Sequence, residues 1–261
     1  MTNLVSWFTM GECPHIVAAM STAVGELPEQ HSAKAARLLE AAGDLLIVRG
    51  AKGFTVADVA QRAHVGKGTV YLYWPTKEDL LVGLVGRAFL GLVDDLIQTL
   101  SDEPDLARPS RFCPLMLQIA TSKPLVAALQ RHDEDLLGVL TRHPRSVAFH
   151  DALGPGAVLS ALLPVWRANG LARNDWTVAD QSFALHALIT GVAMSIIGPA
   201  PVEADDPLGV LSAGVTALLG PERATRKQLK AAAAEVIDFL RQARAIALGL
   251  IVSGEPQGAT P

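Results

Sequence analysis

Residues 55–80 read TVADVAQRAHVGKGTVYLYWPTKEDL, and this stretch decides the fold. Thr55 precedes an apolar-periodic run with Asp58 three positions on, a Thr-x-x-Asp form of the capping box. A short helix therefore starts here, with Val56, Val59, Ala60 and Ala63 on its inner side. His64, Val65 and Gly66 break the chain, and a brief helix follows over 67–74. Pro75 ends it, because the residue before a proline is pushed out of the helical region. Two short helices joined by a turn of about three residues pack at a large angle. Small Ala60 and Ala63 permit close approach, Val65 plugs the corner, and Val70 and Trp74, one turn apart, anchor the second helix of the pair inward. Its outward face then presents Gly68, Thr69, Tyr71 and Leu72, with Lys67 at the leading end. That is the shape of a recognition helix entering a major groove N-terminus first.

Upstream, Ala35, Leu38, Leu39, Ala42, Leu45 and Leu46 recur at helical spacing. The pattern predicts a helix capped by Ser32 and stopped at Arg49 and Gly50. Downstream, Thr76 caps a long helix, again with an acid, Asp79, three residues on, that runs to about Leu100. Lys77 lies in its first turn, where an ammonium and a helix N-terminus can hold one phosphate together; Thr55 can do the same across the groove, and Tyr73 is a further expected phosphate contact. Residues 31–80 hold seven basic and five acidic side chains, a net of +2 on a chain of net charge −4, so the remainder is −6. A modestly basic head on an acidic body points to a polyanion partner for the head alone.

The run from Thr55 to Leu80 closely resembles the signature of TetR-type transcriptional regulators, and the resemblance extends over about fifty residues, 31–81. It implies a dimeric, ligand-responsive repressor that binds a palindromic double-stranded operator, with a helical body that takes a small, largely apolar effector and pairs with a second subunit. Three positions depart from the family pattern. His64 stands where glycine is usual, and tolerates positive φ better than most residues. Gly66 replaces serine or a similar residue, removing one possible contact, and Leu72 replaces a residue that is commonly polar, so that a thymine methyl is its natural partner. The DNA-contact set expected from this reading is Thr55, Gly66, Lys67, Gly68, Thr69, Tyr71, Leu72, Tyr73 and Lys77.

The rest of the chain reads as helices near 110–121, 124–138, 156–168, 177–197, 207–219 and 225–251, punctuated by proline and glycine. The expected architecture is all-α: an N-terminal three-helix DNA-binding unit (31–80) joined by a long helix to an all-helical ligand-binding and dimerisation domain (81–252). Residues 1–30 read as a loosely held extension, with Met20 a candidate start, and 253–261 as a tail. Half of the 261 residues are hydrophobic and 18% charged, which excludes bulk disorder; two cysteines, Cys13 and Cys113, exclude a disulfide scaffold and fit a reducing cytosol. The first 33 residues carry no Lys or Arg, so a secretory signal with a basic start is not expected. Residues 181–202 lack Asp, Glu, Lys and Arg but include Gln181, His186, Thr190 and Ser195, and read as a buried helix rather than a membrane span. The helices 177–197 and 207–219 are expected at the dimer seam, and 225–251 to brace the dimer or cover a pocket.

No catalytic constellation accompanies this pattern. Gly66, Lys67, Gly68 and Thr69 are not a phosphate-binding Walker loop, since Gln61 and Gly68 stand where glycine and a hydroxyl residue are needed. Gly154, Pro155 and Gly156 form a turn rather than a dinucleotide fingerprint. His132, His143 and His150, at spacings of 11 and 7, do not enforce a metal site and read as loop or surface histidines. Neither a cofactor nor a metal is expected, nor an enzyme, and the location expected is the cytoplasm. Candidate pocket residues are Phe112, Met116, Phe149, Trp166, Phe183 and His186, with core as the default reading of each and, for His186, core or interface. Two alternatives stay open: a DNA-binding regulator without a small-molecule ligand, and an all-helical small-molecule-binding protein or enzyme with a structural head.

Overall fold

A computed structural model describes residues 26–123, 143–197 and 201–252. Those residues form helices and connecting turns, with no strand among them. The expected helix 124–138, the extension up to residue 25 with Met20, His132 and the tail 253–261 lie outside the described residues.

The head begins with a single turn, α1 (Pro28–His31), then α2 (Ala33–Arg49), α3 (Val56–Arg62) and α4 (Lys67–Tyr73). The Ser32 hydroxyl accepts from the Ala35 amide at 3.3 Å, and Gly50 ends α2 at φ 69°, a conformation that favours glycine. The apolar stripe of α2 is buried against Phe54, Val59, Val70, Trp74 and Leu80. Residues 26–30 are not loosely held: Glu29 makes paired bonds of 2.6 and 2.7 Å to Arg87, and Leu27 packs beside Leu90 and Ile251. A charged pair on a largely buried stem holds where an isolated chain end frays.

From the head runs α5 (Lys77–Asp102), 26 residues and about 39 Å at 1.5 Å per residue. Its first half packs into the head through Leu80, Leu81 and Leu84, and its second half into the body through Val93, Leu96 and Leu100. A 3-10 turn over Pro104–Ala107 leads to α6 (Pro109–Ser122), α7 (Pro144–Leu153), α8 (Pro155–Ala168), α9 (Val178–Ile197), α10 (Pro207–Leu219) and α11 (Arg226–Val252). Helix α7 has no counterpart in the sequence reading, although Pro144 at its first position is a recognised start signal.

Trp166 and Phe112 sit edge to face at 5.8 Å in the middle of the body core, and the Trp166 indole donates to the Ala107 carbonyl at 3.0 Å. Gln181 is fully buried; its amide oxygen accepts two bonds from Arg167 and its nitrogen donates to the Arg173 carbonyl, so its burial leaves no polar atom unpaired. Helix α9 is not buried all round, as its composition suggested. Leu185, Ile189 and Ala193 face inward, while Phe183, Ala187, Gly191 and Met194 form an exposed stripe at helical spacing. One stretch among the described residues, Pro144–Ala168, is long and apolar enough to cross a membrane. It is two helices broken at Gly154, with Leu159, Leu162, Leu163 and Trp166 buried in the body core.

Helix α11 lies along α5. Arg244 holds Asp94 at 2.6 Å, and Gly86 meets Ile251 so closely that a β-carbon there would stand 2.7 Å from the Ile251 side chain. This C-terminal helix therefore splints the helix that connects head to body.

Candidate nucleic-acid interface

The wedge is built by local chemistry at both ends of α3. Thr55 accepts from the Asp58 amide at 3.2 Å, and the Asp58 carboxylate takes the Thr55 amide and hydroxyl, each at 2.7 Å. Those bonds from Thr55, side chain first and then backbone, hold the Asp58 carboxyl below the usual carboxylate range. At the other end His64 turns the chain at φ 55°, where glycine is the easier occupant, and its amide bonds to the Gln61 carbonyl. The Val65 amide closes the corner on the Ala60 carbonyl at 3.0 Å. The side chain of Val65 packs on the head core, as the corner plug should.

On α4, Val70 and the following Trp74 are buried, and the opposite side is open. Tyr71 is 43% and Leu72 56% exposed, and Thr69 is half-buried. Gly66, Lys67, Gly68 and Thr55 are exposed as well. The Lys67 ammonium stands 5.8 Å from the centre of the Tyr71 ring, which places a positive charge and a phenol side by side at the leading end of the helix. This surface can approach base edges with a hydroxyl, a phenol and a hydrocarbon, and phosphates with an ammonium.

Two of the expected phosphate contacts also make hydrogen bonds within the head. Lys77 donates to the Ala51 and Phe54 carbonyls and lies 4.3 Å over the Phe54 ring, fastening the loop that leads into Thr55. Tyr73 is half-buried and shares a 2.7 Å hydrogen bond with the Ser32 hydroxyl, tying the recognition helix to the start of α2. Both side chains therefore brace the head around α4.

Residues 38–84 match the family model of the bacterial regulatory proteins of the tetR family. The head is a TetR-family DNA-binding unit. The fold around it is shared with solved structures of low sequence identity. A putative tetR family transcription regulator from Shewanella sp. PV-4 superposes with a TM-score of 0.51 at 21% identity, covering 75% of this chain and 100% of that one. The fatty acid degradation regulator FadR from Bacillus halodurans gives a TM-score of 0.54 at 17% identity, covering 74% of this chain and 98% of its own. No curated protein matches the chain.

The TetR-family head is joined to the body by a cluster that the sequence did not reveal. Asp79, which completes the capping box of α5 with Thr76, also takes a bond from Arg145 and lies 3.2 Å from the His143 ring nitrogen, both at the start of α7. Arg145 reaches on to the Ile251 carbonyl near the end of α11. Burial works to raise the Asp79 carboxyl, but the hydrogen bonds from Thr76 and Arg145 and the Arg145 charge outweigh it and hold the group below the usual range. Of the histidines, His150 is exposed, as a surface residue should be, while His143 is largely buried at this joint.

The candidate pocket residues do not converge. Phe112 and Trp166 fill the body core, with Met116 packed against the same cluster. Phe149 lies elsewhere, edge on to Phe89 at 4.8 Å between α7 and α5. His186 is half-buried, and Phe183 is 76% exposed on the outer face of α9, where it cannot line an interior cavity of its own chain. Helix periodicity places Phe183 on the stripe opposite Leu185 and Ile189, and only the packing of α9 shows which stripe faces in.

Proposed function

We propose that this protein is a sequence-specific transcriptional repressor that binds a palindromic double-stranded operator as a homodimer in the cytoplasm and leaves it when a small, largely apolar effector enters the body. No catalytic step, cofactor or membrane contact enters this reading. The observation that carries it is the recognition helix of the TetR-family head, clamped from behind by Val70 and Trp74 with Tyr71 and Leu72 open in front. The homodimer is supported by the outward apolar faces of α9 and α10. Phe183, Ala187, Gly191 and Met194 on one, with Val210, Ala213 and Ala217 on the other, form contiguous exposed stripes that a second copy would cover.

Two recognition helices held by one rigid dimer must meet successive major grooves, roughly 34–36 Å apart or a multiple of it. An effector that favours a body with a different spacing shifts the population away from DNA. A 100-fold loss of operator affinity requires a coupling of about 2.7 kcal/mol. Helix α5 is suited to transmit it, since one end belongs to the head core and the other to the body core.

Selection of bound sequences from a random duplex pool tests the reading. The expected result is an enriched palindrome whose half-sites are spaced by whole helical turns; a pool that enriches nothing at low salt rejects it. The close packing of Phe112 on Trp166 favours a second reading, in which the body answers to a protein partner and no small molecule is bound. Thermal shift against a panel of apolar small molecules separates the two, with stabilisation by at least one compound expected for the effector-responsive form.

A further inference from the structure

We infer that the recognition helix reads thymine methyl groups in the major groove through Leu72, and that Gly68 sets how closely the helix approaches the bases. The inference rests on the DNA-binding reading and deepens it.

At about 100° per residue, Gly68 and Leu72 lie roughly 160–200° around α4 from buried Val70. They form the outermost ridge of the helix, one turn apart, with Thr69 and Tyr71 on its flanks. Of the two only Leu72 has a side chain, and it is hydrocarbon and 56% exposed. A single exposed leucine on an ordinary surface needs no explanation. Here it occupies the tip of a wedge whose partner is a duplex groove, and the edges of the base pairs offer one apolar feature there, the C5 methyl of thymine. Against cytosine the same side chain would cover an amino group that it cannot hydrogen-bond, which disfavours the pair.

Gly68 supplies the second observation. It is not among the glycines at positive φ, and a β-carbon placed on it would meet nothing within 4 Å. Neither backbone geometry nor the packing of the described residues calls for glycine, and glycine within a helix costs about 0.5–1 kcal/mol relative to alanine. Gly68 therefore leaves the outer ridge bare of side chain one turn before Leu72. An absent side chain one turn before Leu72 lets the helix settle deeply enough for Leu72 to touch a base edge.

The test uses the full chain and the duplex enriched from the random pool, with each thymine replaced in turn by deoxyuridine, which removes only the methyl group. For the unmodified protein, one or two positions in each half-site should weaken binding about fourfold, the worth of one buried methyl. Leu72→Ala should bind thymine and deoxyuridine duplexes equally. Gly68→Ala should melt at a higher temperature than the parent and yet bind the operator at least fivefold more weakly. A scan that is flat for a tightly bound duplex, or a Leu72→Ala protein with undiminished methyl sensitivity, overturns the role of Leu72 and leaves the DNA-binding reading standing. Parental affinity in Gly68→Ala overturns the role of Gly68. Failure of the pool to enrich any duplex removes the reading on which both depend.

Discussion

At the scale of single residues, His64 and Lys77 hold the head in shape around the recognition surface. His64 sits at φ 55°, where a β-branched side chain is strained more than histidine. His64→Val should destabilise the protein by about 1–2 kcal/mol in urea unfolding, within the usual cost of such backbone conformations. Lys77 serves the Ala51 and Phe54 carbonyls. Lys77→Ala should therefore lower stability by about 1.5–3 kcal/mol, the usual contribution of a hydrogen bond involving a charged group; a lysine serving only phosphate would leave the unfolding midpoint unchanged. Tyr71 is the contrasting case. Its ring and phenol are open, so Tyr71→Ala should abolish operator binding in an anisotropy titration while leaving the unfolding curve and the association state as they were. The motif made Lys77 and Tyr71 visible as contact candidates. It could not separate them, because whether a lysine meets a loop carbonyl or a phosphate depends on chain that is brought close only by folding.

At the scale of elements, the helix starts follow from sequence and the joints between helices do not. Ser32, Thr55 and Thr76 cap α2, α3 and α5 as their spacing indicates, and Asp58 and Asp79 complete two capping boxes. Those are contacts over three residues, so composition is enough to find them. The link from Asp79 to Arg145 and His143 spans more than sixty positions and leaves no local trace. Its pH dependence follows from the direction of the Asp79 shift. The folded carboxyl titrates below its ordinary value of 3.8, so its contribution is fully present above that value and is lost as the pH falls through the folded one. Arg145→Ala should lower stability most between pH 6 and 8, and its difference from the parent should shrink as the pH falls below 3.8, as read by denaturant titrations across pH 2–8. A difference that stays the same from pH 8 down to pH 2 would show that Asp79 owes its shift to the capping box alone.

At the scale of the whole molecule, the outward stripes of α9 and α10 separate fold from assembly. Phe183 is 76% exposed and Val210 59% exposed, and neither supports the interior of its own chain. Phe183→Glu should keep the unfolding midpoint of the isolated chain and turn a dimer into a monomer in sedimentation equilibrium. Operator affinity should fall steeply, because one recognition helix loses the partner that doubles its contacts. The long contact between α5 and α11 belongs to the same scale. Gly86→Leu would drive a side chain into Ile251, and overpacking of this kind costs about 1–3 kcal/mol. It should loosen the splint and lower the melting temperature.

Sequence alone determined the helical class, the positions of most helix starts and stops, and the wedge at 55–74, because each rests on periodicity and capping within a few residues of chain. Tertiary structure decided the rest. It turned Phe183 outward and seated Phe112 and Trp166 in the core, drew Lys77 and Tyr73 into the scaffold, and laid α11 along α5. Burial and long-range pairing are properties of which surfaces meet, and a linear pattern specifies the surfaces without specifying the meeting.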